Sequence, residues 1–217
     1  MTAEHRLHKG LGRIGMPVST DQHDRFDHYL HELELWNPKY NLVRAAGEDL
    51  VVRHILDCAA GAPAIISALG PSLKMIIDIG SGAGLPGIPL AILMPGHNFT
   101  LVERSEKRAG FLRNAVAATR LPNTSVRACA FESLSAVDAV VFRALHPFSD
   151  ELLESLRSVL RPGGIAIAYK GTRERISEEL SSVDRTFHES TVPVSVPWLH
   201  EPRHLVFLRF QGDATRG

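Results

Sequence analysis

Two cysteines, Cys58 and Cys129, stand in 217 residues, in unrelated contexts and with no CxxC pair. That scarcity argues against a disulfide framework or a cysteine-bound zinc and fits a reducing compartment. The 11 histidines include no HxH or HExxH spacing, so no metal site is expected. Charge of one sign is also missing: 24 Lys and Arg balance 24 Asp and Glu. A global basic footprint is thereby excluded, and any nucleic-acid surface must be a local patch. No apolar run approaches the roughly 18 residues that cross a bilayer, and the opening MTAEHRLHKG lacks a signal-peptide apolar core. There is no internal repeat or low-complexity tract. The expectation is a cytoplasmic monomer without membrane contact, built as one unit large enough to bury a sizeable core.

The most informative stretch that is present is residues 74–89, KMIIDIGSGAGLPGIP. A short apolar run, broken only by Asp78, meets a glycine-spaced turn and then a proline-marked helix start. A buried parallel strand reads as such a run, and Gly80, Gly82, Gly84 and Gly87 allow positive φ and close approach of a ligand to the backbone. Gly82, Gly84 and Gly87 fit GxGxxG, the dinucleotide fingerprint. Gly80, Gly82 and Gly84 fit the GxGxG that follows an acidic strand end in class I S-adenosylmethionine (SAM) methyltransferases. An ordinary glycine-capped βα turn is the bland alternative. Asp78 tilts the choice toward SAM, since a carboxylate at the strand end welcomes an ammonium and repels a pyrophosphate.

Along the chain, residues 1–17 read as a loose tail and 18–72 as a helical cap. Ser19 with Gln22 forms a capping box, and Phe26, Tyr29, Leu30, Leu33 and Trp36 recur at helical spacing up to Asn37-Pro38. Further helices are expected over 48–60 and 64–69. Residues 73–212 then alternate strand and helix. A strand over 99–103 ends in Glu103, near the offset at which an acidic side chain reaches ribose hydroxyls. A cationic helix over 107–120 and a strand over 125–129 follow, with Phe131-Glu132 placed to close over an adenine ring. A strand over 136–142 ends at Arg143. Helix 149–160, the turn Leu160-Arg161-Pro162-Gly163-Gly164, a strand over 165–169 and helix 173–183 come next. The runs 191–196 and 204–210 lack an intervening helix, so they should be antiparallel neighbours. A mostly parallel seven-stranded α/β sheet with an antiparallel last strand is the expected fold.

Trp36-Asn37, Tyr40-Asn41-Leu42, the block Arg53-His54-Ile55-Leu56-Asp57, the stretch from Asp78 to Pro89, Phe142-Arg143-Ala144 and Tyr169-Lys170-Gly171 occur in this order. Together they resemble the RsmG (GidB) family over roughly residues 19–210. The resemblance implies methylation of a guanine N7 in the decoding-region loop of 16S ribosomal RNA, with SAM as cofactor and the RNA or the small ribosomal subunit as partner. It implies cofactor contacts at Gly80, Leu85, Glu103, Phe131, Glu132 and Arg143, beside Asp78, Gly82 and Gly84 of the turn. Glu103-Arg104 stands where the family usually has Asp-Ser, and Phe131 where alanine is common.

Guanine N7 carries an exposed lone pair, so its attack needs neither deprotonation nor a covalent intermediate, and catalysis can consist mostly of alignment. In agreement, neither cysteine follows the fourth or fifth strand, as a pyrimidine-C5 enzyme would require. The segment after strand four is FRALHPF rather than the Asn-Pro-Pro-Tyr type of adenine-N6 enzymes, and Asn37-Pro38-Lys39-Tyr40 precedes the nucleotide turn. Arg143, Lys170 and His54 are the catalytic candidates. Asn37, Lys39, Arg44, Arg53, His54, Arg143, Lys170, Arg173 and Arg203 are candidate RNA contacts around the open end of the sheet. Arg104 to Arg113 reads as a solvated helix face, and Trp198 with His200 as hairpin packing. An NAD(P)-dependent oxidoreductase and a non-catalytic ribosome-binding protein remain the competing classes.

Overall fold

The computed structural model describes residues 2–184 and 186–210. It begins with a helix where the sequence led us to expect a loose tail. In α1 (Ala3–Leu11) the Thr2 side chain caps the first turn by accepting from the His5 N–H, and Leu7 and Leu11 are fully buried. Charged neighbours had masked this two-residue stripe. Burying a leucine contributes roughly 1.5–3 kcal/mol, enough to hold a short helix down. Gly10 lies so close to the core that a Cβ would sit 2.2 Å from Leu56 Cδ1. The expected carboxyl boundary at 212 lies outside the described residues.

Helix α2 (Thr20–Tyr40) starts with the expected Ser19–Gln22 capping box and buries Phe26, Tyr29, Leu30 and Leu33. It does not stop at Asn37-Pro38 but runs through Pro38 to a left-handed Asn41 cap. A proline in the last turn forfeits a single backbone bond. The Asn37 side chain steadies the exit, donating to the Ala45 carbonyl and accepting from the Val43 N–H. Next come α3 (Gly47–Leu50), a π turn (Val51–Leu56), α4 (Asp57–Ala59) and α5 (Ala62–Leu69). Together Gly47–Leu69 is long and apolar enough to cross a bilayer by length and composition, which the sequence reading missed because Arg53, His54 and Asp57 interrupt the run. Its apolar side chains serve the core: Leu50, Val51, Ile55, Leu56, Ala62 and Ile65 are buried.

The α/β unit is β1 (Met75–Ile79), α6 (Gly87–Leu93), β2 (Asn98–Val102), α7 (Glu106–Ala118), β3 (Thr124–Arg127), a 3-10 turn (Phe131–Ser133), β4 (Val137–Arg143), α8 (Asp150–Val159), β5 (Leu160–Lys170), α9 (Arg173–Ser181), β6 (Phe187–Pro193) and β7 (His204–Phe210). The seven strands run in the order β3-β2-β1-β4-β5-β7-β6, and β7 pairs antiparallel with both β5 and β6. This is the sheet expected of a class I SAM methyltransferase. Two bounds shift. The turn ahead of β5 is drawn into the strand from Leu160, with a register shift opposite Val137–Ala139, and β6 lies earlier than 191–196.

Alternate residues of each strand serve two cores. Ile76, Leu101, Ala139, Val141 and Ile167 face the helices α1 to α7, while Ile77, Val102, Val140, Phe142 and Ala168 face α8 and α9. Strand order reverses between β1 and β4. In open α/β sheets such a reversal opens a crevice at the carboxyl ends of the strands.

Candidate active site at the carboxyl ends of the strands

The glycine turn after β1 opens this crevice. Gly80 has φ +66°, a conformation that disfavours other residues, and a Cβ there would point toward Leu145, 3.8 Å away across the cleft. Tyr29 secures the turn by donating its hydroxyl to the Ala83 carbonyl at 2.8 Å. Asp78 does not sit where its sequence position suggested. It is fully buried, and its Oδ2 accepts the Gly87 N–H at 3.0 Å at the start of α6. The carboxylate therefore braces turn and helix, beneath any ligand's ammonium rather than beside it. Burial pushes its pKa up to about 7, against the bonds it accepts. Its second oxygen, Oδ1, has no hydrogen-bond partner.

Over β1, β2 and β3 lies a cavity of about 890 Å³, bounded by Gly80, Glu103, Phe131, Glu132 and the segment from Ala144 to Pro147. The expected contacts Asp78, Gly82, Gly84, Leu85 and Arg143 do not line it. Gly82 instead donates its N–H to Glu103 Oε2 at 3.1 Å, and the Ser105 N–H reaches Oε1 at 2.9 Å. Gly84 packs where a Cβ would meet Ile88 at 2.5 Å, and Leu85 is buried in the core. These residues build the turn. Glu103, held by two backbone donors, presents an acceptor for sugar hydroxyls. Phe131 with Leu145 and Leu152 offers apolar surface for a flat base. The volume lies in the range of small-molecule sites, so the residues fit an adenosyl group. Arg104 and Arg108 line the same cavity and were read as solvated helix face; Arg104 pairs with Glu132 at 3.0 Å.

A second cleft, about 460 Å³, lies over β4, β5 and β7 and shares Ala144 and Leu145 with the first. The segment after β4 is thus a partition between two chambers, and Ala144 adopts φ +55° to make it. Tyr169, Lys170, Arg175, Glu179 and Arg203 are among the residues around the second chamber. Lys170 is not a free cation: its Nζ meets Glu179 Oε2 at 2.5 Å and lies 4.2 Å from the Phe148 ring centre.

Behind the partition, a buried polar cluster ties the cap to the sheet. Arg143 donates from one nitrogen to Asp57 Oδ2 at 2.9 Å, with the Arg53 and His54 carbonyls of the π turn at 3.3 and 3.4 Å. Its other terminal nitrogen lies 2.5 Å from His54 Nδ1. Burial, then the neighbouring Arg143, lowers the His54 pKa to about 4, so the ring is neutral and accepts from the guanidinium. Asp57 also accepts from Arg203 Nε at 3.1 Å, and burial raises its pKa against the pull of both arginines. Arg143 and His54, expected at the reacting atoms, are gathered here instead. Asp57 is the residue sequence reasoning passed over; an acid on the core side of an apolar helix was the available signal. Tyr169 joins by donating to the Cys58 carbonyl at 2.8 Å.

The remaining candidates lie farther out. Arg53 pairs with Glu201 at 2.8 Å, Asn37 is committed to its own loop, and Lys39, Arg44 and Arg173 are exposed. Trp198 lies in the loop that joins β6 to β7, as expected of hairpin packing, with Arg6 and Arg13 over its ring. Among the described residues no group of three His, Cys, Asp or Glu side chains is placed to hold a metal.

Comparison with known proteins adds to this geometry. The family model for rRNA small subunit methyltransferase G matches residues 22–206. The ribosomal RNA small subunit methyltransferase G of Treponema pallidum (strain Nichols) is 42% identical over 188 residues, covering 82% of this chain and 81% of that one. That of Nitrosomonas europaea is 37% identical over 222 residues, covering 97% and 99%. Among solved structures, a tRNA (m1A58) methyltransferase from Aquifex aeolicus superposes with a TM-score of 0.55 at 16% identity, over 70% of this chain and 69% of that one. A SAM-dependent O-methyltransferase from Thermotoga maritima gives 0.52 at 16%, over 71% and 66%. Those two likenesses speak to the fold alone. The cofactor is S-adenosyl-L-methionine, and the dinucleotide reading of the glycine turn gives way. By a family match across most of its length and relatives above 30% identity, the chain belongs to the GidB family of rRNA small subunit methyltransferase G proteins.

Proposed function

We propose that this methyltransferase modifies N7 of a guanine in the decoding-region loop of 16S rRNA by direct transfer, as a cytoplasmic monomer. The observation that carries the reading is the pair of chambers meeting at Ala144 and Leu145. One has the shape and acceptors for an adenosyl group, and the other adjoins it where a base must arrive. Bound SAM supplies an electrophilic methyl on its sulfonium. Gly80 leaves the floor open, Glu103 accepts from ribose hydroxyls, and Phe131 covers the adenine. Alignment across the partition is the remaining requirement, the class of effect that holding reactants in place provides.

The chain's own groups fit a route without a covalent intermediate. Burial pushes the Cys58 thiol up to about 12, which removes it as a nucleophile, and Cys129 lines the cofactor chamber rather than the second one. His54, engaged by Arg143, holds the strand end in place and has no proton to take from N7. Lys170 and Arg203 keep positive charge at the second chamber, where a phosphate backbone would pass. The relatives' names support the small-subunit RNA as substrate, and two free cysteines suit a reducing cytoplasm. The test is to incubate the protein with methyl-labelled SAM and small subunits from cells lacking the modification, then map the label. Label at a single guanine N7 is expected; label on another nucleobase or on protein would overturn the assignment.

A further inference from the structure

We infer that the junction of α2 and α7 is a stacking platform for one unpaired nucleotide of the RNA strand entering the site, a reading that rests on the RNA substrate proposed above. Trp36 and Tyr40, one helical turn apart, bring their ring centres to 5.2 Å, and both rings are only half buried. Lys39 Nζ lies 5.5 Å from the Trp36 ring centre and 5.8 Å from that of Tyr40, while Lys107 Nζ lies 4.5 Å from Tyr40. Among the described residues no carboxylate pairs with either ammonium. Lys170, Arg53, Arg143 and Arg203, by contrast, all have acidic partners. Lys39 and Lys107 thus hold unpaired ammoniums beside aromatic rings.

The platform is also held in place. The Trp36 indole N–H donates to Glu32 Oε2 at 3.0 Å, which fixes the ring plane. Asn37 bonds at both ends of its amide to the loop that carries exposed Arg44. Lys107 belongs to the first turn of α7, whose cap Ser105 gives its N–H to Glu103 of the cofactor chamber. Core packing accounts for the inner edges of the two rings. It does not account for two unpaired lysines over their faces. An acidic peptide would satisfy the ammoniums and leave the rings idle, and a duplex would offer phosphates with its bases stacked away. An unpaired nucleotide supplies both a flat face for an aromatic ring and a phosphate for each lysine that yields its place.

Trp198→Phe leaves Trp36 as the single tryptophan, read by selective excitation above the tyrosine band, since the chain has two tryptophans. In that background, a short single-stranded RNA should quench the emission, whereas the same sequence as a duplex, or polyglutamate, should not. Adding Tyr40→Leu, Lys39→Gln and Lys107→Gln should weaken binding of the single strand about tenfold. It should lower the slope of log affinity against log salt by about 1.4, the value for two phosphates of a single strand. SAM affinity by calorimetry should be unchanged, and Tyr40→Phe with both lysines kept should bind the single strand as the parent does. Should Tyr40→Leu unfold the chain, the two exposed lysine changes alone must still reduce the slope. Equal quenching by duplex or polyglutamate, no quenching, or an unaltered slope overturns the platform. Methyl transfer to small-subunit RNA, measured in parallel, separates the two readings. Transfer without quenching rejects the platform alone, and quenching without transfer rejects the substrate while supporting the platform.

Discussion

The two chambers either side of Ala144–Leu145 are built in opposite ways. The floor of the cofactor chamber is made of neighbours: Gly80 and Glu103 directly follow the paired strands β1 and β2, and the Glu103 carboxylate is held by the backbone N–H groups of Gly82 and Ser105. The second chamber is backed by strangers: Arg203 on its wall is bonded to Asp57 across 146 positions, and Arg143 behind it to the same carboxylate across 86. A chamber formed from local turns is robust to changes elsewhere in the chain. One assembled from distant charges depends on every partner. The cap therefore braces the second chamber from behind, through the Asp57–Arg203 pair.

The contrast can be broken from either side. Gly80→Val should abolish SAM binding measured by calorimetry, because the left-handed φ resists a branched side chain and the Cβ enters the cleft. The second chamber should be intact in that variant, with the urea unfolding midpoint little changed. Next in size is Asp57→Ala. Removing one carboxylate from a buried cluster leaves two arginines uncompensated, at a cost of about 3–5 kcal/mol in unfolding free energy. Replacing Asp57 together with both arginines by apolar residues should recover much of that loss, and failure to do so would show that the cluster is not the source.

Lys170→Ala sharpens the comparison in activity. It removes a cation from the second chamber and touches nothing in the first, so RNA methylation should weaken about tenfold while SAM affinity stays constant. A pH dependence at Asp78 tests the floor of the first chamber. Its pKa rises from 3.8 to about 7 on folding, so the native state holds an extra proton between those values. The stabilisation from this group is complete below 3.8 and is lost as pH rises through 7. The difference in unfolding free energy between the parent and Asp78→Asn, followed from about pH 4 to pH 8, should therefore shift toward the variant. A flat difference would mean that Asp78 ionises as freely as an exposed carboxyl.

The same contrast explains what could be read in advance. Strands β1, β4 and β7 and the glycine turn announce themselves through runs of a few residues, and the sheet follows from short-range rules about crossovers. Asp78 was placed in the right turn but facing the wrong way, since spacing gives a side chain's position and not the partner it will choose. Helix α1 was hidden because Leu7 and Leu11 become a stripe only when Leu56 and its neighbours are present to receive them. The Asp57 cluster was invisible for a stronger reason. Charges that meet across most of the chain leave no periodicity, and an arginine after a strand looks equally suited to a ligand or to a distant carboxylate.

The widened winding at Val51–Leu56 has a consequence for how such a molecule can vary. An i→i+5 turn stores one residue beyond what α-helical winding needs between the same end points. Excising that surplus would return the segment to α-helical winding with Asp57 still facing its arginines, whereas excising a residue from the α-helical winding beside it would rotate Asp57 by about 100° about the helix axis, the angle of one residue. Arg143 and Arg203 would then confront aliphatic groups. Sequence length beside this turn, rather than within it, is consequently under tighter constraint than the identity of many side chains there.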